Sequence, residues 1–428
     1  MKNITILGPQ RLLEALGLLI LAFIPMNMLF SPLFDFLTVE ERGASWTVTM
    51  SAYVFILTSM LLFMVAVLFL KSRNEKLFFR LLLVFFIYAF IFTIYSASEL
   101  FYPIYGLTSL LGAALVGILF YVSARDGIIS AKVVFYFLAF ASIFVVVPLL
   151  LVHIDTERFA QLSEKYGSNH ILYGYENPRP VGWVSSISLS LLAAFVSTQS
   201  KEIRIQPIFL PLAIIASTTL FWSGSRGGLV AFAVSISIVF SLSQTKNYRG
   251  VLSILVCVVA GGAFSYFLHL PGGSYGMFAR ISQTLEAESI AAASTGRVEI
   301  WRNIIVYITE RPFTGYGYLP YKSLEGLSHG SAHNIVLELW LGFGLIIGTI
   351  VILAGIRLWV MAFVFFRKAN DQYVSALFCV VTTLLVYSMI SGPYARTFPL
   401  LLFAVSSGVL LGLRSSKANL PSRSDQGR

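Results

Sequence analysis

Three short polar stretches interrupt an otherwise apolar chain, and each holds residue types suited to an anion or a proton. The first is Ser223-Gly224-Ser225-Arg226-Gly227-Gly228. Small residues let backbone approach a ligand closely, N–H groups at a helix start attract anions, and an arginine adds a two-pronged charged donor. That combination suits a phosphate held by Arg226 and Ser225. The same residues equally suit tight helix packing, with Arg226 snorkelling to lipid headgroups.

The second stretch, Ser294-Thr295-Gly296-Arg297-Val298-Glu299-Ile300-Trp301, opens a segment that reads as a helix to Glu310, stopped by Pro312. Ser294 or Thr295 is the expected cap. Arg297, Trp301, Ile304, Ile305 and Ile308 fall on one face, which predicts a helix lying along the membrane interface with Arg297 at phosphate depth. An ordinary amphipathic surface helix with a snorkelling arginine fits the same spacing.

The third stretch ends in His333-Asn334. It follows the turn-rich Gly315-Tyr316-Gly317-Tyr318 and Ser328-His329-Gly330-Ser331-Ala332, and it precedes a long apolar helix expected from Ile335 to Leu353 that contains Glu338. Histidine titrates near neutrality, so His333 can accept a proton from a hydroxyl nucleophile, oriented by Asn334 or Glu338. A single interface histidine also serves as a plain structural hydrogen-bonding group. His329 and His333 lie four apart, but Gly330 argues against a helix between them and no His-Glu-x-x-His pattern occurs, so metal ligation is not expected.

The elements that must position these residues are transmembrane helices. The chain has 428 residues, 57% hydrophobic and 12% charged, with mean hydropathy +0.81, which excludes a soluble globular protein. Apolar runs near 12–34, 46–70, 77–98, 104–123, 130–152, 181–198, 206–222, 227–243, 250–270, 334–363, 372–390 and 397–413 predict an all-α polytopic membrane protein with about twelve transmembrane helices. The first run lacks a small-residue cleavage site, so no cleavable signal is expected. Cys257 and Cys379 fall inside apolar runs and read as small core residues. The net charge of +10 comes from basic residues dispersed over short loops, which is topogenic rather than nucleic-acid patterning. With both termini cytoplasmic, nineteen of the thirty Lys and Arg lie inside, giving an N-in, C-in expectation.

Two loops are long, 153–180 and 271–333, and both fall outside. All five histidines, His153, His170, His269, His329 and His333, sit on that side or at its edge. The expected organisation is 1–208 as N-terminal transmembrane helices and 209–363 as a functional core including the outer loop 271–333. Residues 364–413 follow as C-terminal transmembrane helices, and 414–428 as a disordered basic cytoplasmic tail. No Walker loop, dinucleotide fingerprint or nucleophile elbow is present, and a soluble nucleotide-sugar transferase domain has no room. A transporter or lipid-linked oligosaccharide flippase also suits about twelve spans, but such proteins place polar residues near the midplane. Here the polar content is concentrated in one outer loop.

Taken together, Ser223-Gly224-Ser225-Arg226-Gly227, Thr295-Gly296-Arg297 with Trp301, Pro312 with Gly315-Tyr316-Gly317, and His333-Asn334 followed by Gly344 and Gly348 resemble the O-antigen ligase and polymerase superfamily. One departure is that Ile347 stands three positions after Gly344, where the ligase pattern has a small residue or Tyr. The resemblance implies a GT-C-like glycosyltransferase of the bacterial inner membrane with a periplasm-facing site. Such an enzyme transfers a polysaccharide from undecaprenyl diphosphate to a sugar hydroxyl of lipid A-core in lipopolysaccharide assembly, with no cofactor, nucleotide or metal. It also implies roles by position: Arg226 and Arg297 on the donor diphosphate, with Ser225, and His333 as base, supported by Asn334, Trp301 and Glu338. Polymerases and protein O-oligosaccharyltransferases of the same superfamily are the alternatives.

Overall fold

The computed structural model describes residues 9–42, 73–96, 101–158, 160–161, 178–200, 207–268, 276–287, 296–324, 327, 331–392 and 397–418. Among them are fourteen α-helices: α1 (Pro9–Arg42), α2 (Arg73–Ser96), α3 (Phe101–Arg125), α4 (Ala131–Ala141), α5 (Val147–Ile154), α6 (Pro178–Thr198), α7 (Phe209–Trp222), α8 (Arg226–Leu242), α9 (Tyr248–Phe267), α10 (Met277–Leu285), α11 (Arg297–Glu310), α12 (Ile335–Ala369), α13 (Gln372–Ser388) and α14 (Thr397–Ala418). A 3₁₀ segment, Ser142–Val146, joins α4 to α5, and another covers Pro320–Ser323.

Six helical stretches are long and apolar enough to cross a membrane, and five shorter apolar helices accompany them. The chain is a polytopic membrane protein. Eleven of the expected apolar runs coincide with these helices; the run at 46–70 lies outside the described residues, as do His170, His269, His329, Ser294 and Thr295. The seventh and eighth runs are short, 14 and 17 residues in α7 and α8. At 1.5 Å per residue α7 rises about 21 Å, less than the hydrocarbon core of a bilayer, roughly 30 Å. The last helix continues through Arg414 to Ala418, so the expected disordered tail begins as helix.

Helix α6 is the axis of the bundle: every residue from Val181 to Gln199 is buried. Its small residues make that possible, because helices in lipid associate through close packing and hydrogen bonds rather than through exclusion of water. Ser185 Oγ donates to Val181 O at 2.7 Å and pairs with Thr219 Oγ1 at 2.9 Å, while Ser186 Oγ donates to Gly228 O at 2.7 Å. Glycines do the same between α3 and α14, where a Cβ on Gly408 would meet Gly117 O at 2.4 Å. Nearer the opposite end of α6 an aromatic cluster locks the packing, with Phe135 stacked on Phe195 at 4.3 Å.

The helix expected to run unbroken from Ile335 is instead two helices meeting at Gly344, whose φ of 74° is left-handed. The loop at 312–317 closes the break. Tyr316 N donates to Leu341 O at 2.9 Å, Gly317 N to Gly342 O at 3.0 Å, and Leu345 N to Pro312 O at 2.7 Å. Backbone groups freed by the kink are thus satisfied by protein, the condition for irregular backbone within a membrane protein's apolar bundle. A Cβ at Gly315 would meet Gly342 O at 2.6 Å, which is why the Gly-Tyr-Gly turn sits there.

The described residues of the outer loop from 296 onward share a small apolar core with the start of α12, with Ile300, Ile304, Ile308, Tyr316, Tyr321 and Leu341 among its members. This corrects the expected face of α11. Ile300, Ile304 and Ile308 are buried, whereas Ile305 is 52% exposed, so the helix packs on the loop core and on the start of α12 along a stripe rotated from the one read in the sequence.

Candidate functional site

The turn before α8 carries Arg226 at the first helical position. Ser225 is the N-cap: its Oγ accepts from Gly228 N at 3.3 Å and also bonds the hydroxyl of Tyr387 on α13. Gly224 is left-handed at φ 63°, and Gly182 of α6 lies so close beneath that a Cβ there would strike Ser225 Cβ at 2.3 Å. The Ser and Gly residues therefore build the turn, and Arg226 projects from it to donate to Thr284 Oγ1 on α10.

Arg297 is also the first residue of its helix. The cap is Gly296, left-handed at φ 78° and without a side-chain cap bond, which replaces the expected Ser294 or Thr295 cap. Arg297 Nη1 donates to the carbonyl of Ile390 at 2.6 Å, in the turn that follows α13. Its guanidinium is therefore directed into the protein, and not only toward a lipid surface as the flat-helix expectation had it.

His333 sits in the left-handed region at φ 52°, unusual for a residue with a Cβ. Its Nδ1 lies 3.3 Å from Ser331 Oγ. The residue before it is clamped on both sides: Ala332 N donates to Glu338 Oε2 at 3.1 Å, and Ala332 O accepts from Trp301 Nε1 at 2.9 Å. Glu338 is buried and also accepts from the Tyr321 hydroxyl. Asn334 caps α12, accepting from Val336 N at 2.9 Å and Leu337 N at 3.2 Å, and its amide donates to Met389 O at 3.1 Å. Glu338 and Trp301 fix the backbone that carries His333, and Asn334 ties the start of α12 to the turn after α13.

The end of α13 from Tyr387 and the turn that follows it to Gly392 are where the three stretches meet. Tyr387 bonds Ser225 and lies against Gly227, where a Cβ would come within 3.0 Å of its ring. Met389 O takes Asn334, Ile390 O takes Arg297, and Gly392 faces Ser331 and the His333 ring, a Cβ there falling 3.8 Å from Nδ1. Neither Tyr387 nor this turn stood out in the sequence; the one available signal was a Tyr in an apolar run followed by Ser391-Gly392.

The loop has its own polar lock. Tyr316 Oη donates to Glu310 Oε2 at 2.8 Å beneath the Arg311 guanidinium, 4.5 Å from the ring centre. Burial and then that carboxylate push the Tyr316 phenol up to about 12, so it remains a neutral donor.

Compared with known proteins, residues 211–353 match the profile of a family described as O-antigen ligase. A protein named general O-oligosaccharyltransferase from Acinetobacter baylyi is 22% identical over 253 residues, which is 55% of this chain and 42% of that protein. An uncharacterized protein from Haemophilus influenzae is 25% identical over 203 residues, 40% of this chain and 49% of that protein. The chain thus matches less than half the length of each. The matched stretch contains Arg226, Arg297 and His333 and ends before the turn at 387–392.

Proposed function

We propose, from the match of residues 211–353 to the O-antigen ligase family, that the chain is an O-antigen ligase. It takes a polysaccharide from undecaprenyl diphosphate and joins it to a sugar hydroxyl of lipid A-core, without nucleotide or metal. The observation that carries this reading is the meeting of the Arg226 turn, Arg297 and His333 at the end of α13 and the turn that follows it, Tyr387 to Gly392. We read the bundle as GT-C-like with about twelve spans, N-in and C-in, in a bacterial inner membrane with this end facing the periplasm.

In this mechanism the acceptor hydroxyl attacks the anomeric carbon, the bond from that carbon to the diphosphate oxygen breaks, and the hydroxyl proton passes to His333. In the tautomer whose Nδ1–H donates to Ser331 Oγ, Nε2 is the lone-pair nitrogen that takes it. A positioned base contributes on the order of 10²–10⁴ in rate. Arg226 and Arg297 bind the leaving diphosphate and stabilise its growing charge through charge-assisted hydrogen bonds. A guanidinium has five N–H donors, so holding Ile390 O occupies only part of Arg297. Ser225 acts by shaping the turn beneath the donor. Attack from the face opposite the diphosphate inverts the anomeric centre.

A second reading, transfer to protein Ser or Thr, is favoured by the name of the Acinetobacter relative; a polymerase would use a second lipid-linked glycan as acceptor. The test is purified full-length protein with undecaprenyl-diphosphate-linked glycan, chelator and no nucleotide, offered lipid A-core, lipid-linked glycan or protein in turn. Transfer to lipid A-core alone is expected; transfer to either other acceptor alone replaces the ligase reading, and no transfer to any acceptor defeats the family of readings.

A further inference from the structure

We propose that Arg280 is a further donor-binding residue and that the exposed face of α10 formed by Phe278, Ile281 and Leu285 receives the isoprenoid chain of the lipid carrier. The proposal rests on the donor reading above.

Helix α10 lies directly on the turn that precedes Arg226. A Cβ on Gly224 would meet Arg280 Cγ at 3.1 Å and Gly276 O at 3.2 Å, so the helix is seated closely against that glycine. Thr284, one turn beyond Arg280, accepts from Arg226 and donates to Arg280 O at 2.7 Å. The Arg226 and Arg280 charges are within electrostatic reach of each other. Bringing two guanidinium groups to one glycine turn is unfavourable by itself and becomes favourable around an anion with several oxygens. A diphosphate has two phosphoryl groups to share between them.

The apolar side of the same helix gives the second half of the argument. Phe278, Ile281 and Leu285 follow i, i+3, i+7 and share one face, and they are 49%, 43% and 82% exposed. Phe278 stacks on Phe221 at 6.2 Å and meets Tyr266 edge-on at 6.0 Å. The face therefore continues onto the exposed aromatic end of α9 at Phe264, Tyr266 and Phe267. An exposed apolar face beginning beside two arginines matches an anionic head joined to a long hydrocarbon chain, and the lipid carrier of the proposed donor has that chemistry.

The experiment measures binding of undecaprenyl diphosphate to the full chain in detergent, with inorganic diphosphate as competitor. Arg280→Gln is expected to weaken undecaprenyl diphosphate about tenfold, the size of one charge-assisted hydrogen bond, with Arg280→Lys recovering part of the loss. The triple variant Phe278→Ser, Ile281→Ser, Leu285→Ser is expected to weaken undecaprenyl diphosphate while leaving competition by inorganic diphosphate unchanged. Elution of each variant as a monodisperse peak shows that the fold survives. Unaltered affinity in Arg280→Gln overturns the arginine assignment, and unaltered affinity in the triple variant shows that ordinary bilayer lipid covers that face. If the unaltered chain binds no undecaprenyl diphosphate, the donor reading falls and the inference with it.

Discussion

Arg297 Nη1 donates to the main-chain oxygen of Ile390 at 2.6 Å, across 93 positions of sequence. A fixed charge at the start of α11 is thereby anchored to the turn after α13, which also meets Ser225 and His333. Replacing Arg297 by Ala is expected to lower glycan transfer by about 10²–10³. Lys retains the charge but lacks the planar fork, so Arg297→Lys is expected to retain only part of the rate. Initial rates with purified variants read both outcomes; equal activity of Arg297→Ala and the parent would remove Arg297 from the site.

Position 333 needs a side chain that tolerates φ near +52° and, in the proposed reaction, a base. Asn tolerates the conformation and has no base, so His333→Asn is expected to fold and insert normally while transfer falls by about 10²–10⁴. The check pairs transfer rate with thermal unfolding in detergent. Full activity in His333→Asn is incompatible with the general-base role.

Trp301 and Glu338 hold the two ends of the Ala332 residue from opposite sides. Trp301→Phe keeps the ring and loses the N–H, leaving Ala332 O without that donor, at a cost of about 1–3 kcal/mol if no water replaces it. The effect should appear mainly in turnover rather than in donor KM, because the displaced group is the backbone bearing His333. A change confined to KM would contradict this.

Tyr387→Phe tests the link between α13 and the Arg226 turn. Tyr387 is buried, and its hydroxyl partners Ser225; the variant is expected to lose about 1 kcal/mol of stability and a measurable part of donor affinity. The double variant with Ser225→Ala should then cost little more than either change alone. Additive losses would mean that the two residues act separately.

Gly344→Ala combines a left-handed φ with a Cβ that would lie 2.4 Å from Phe313 O. Strain at the first count alone is about 1–2 kcal/mol, and the contact adds to it by opening the clasp between loop 312–317 and α12. Lower thermal stability and easier proteolysis of the loop are expected; an unchanged melting temperature would show that the kink is not needed.

Much of this was legible in the sequence because the signals were local. Apolar runs long enough for a bilayer mark helices whatever their neighbours, so eleven of the expected runs fall on helices of the described chain. Arg226 and Arg297 also lie at helix starts and His333 just before one, as the sequence placed them, although the cap of α11 is Gly296 and not Ser294 or Thr295.

What spacing along the chain did not decide was orientation and partnership. The buried stripe of α11 is Ile300, Ile304 and Ile308 because the loop core lies on that side, a fact of tertiary packing and not of amphipathic period. The break at Gly344 exists because a loop about thirty positions upstream supplies the hydrogen bonds that a continuous helix would make internally. Most clearly, the sequence marked Arg226, Arg297 and His333 by residue type and local setting, whereas Tyr387 and the turn ending at Gly392 read there as the end of an apolar helix. Only the folded chain, by bringing carbonyls and a hydroxyl from α13 against three distant segments, made that turn their common support.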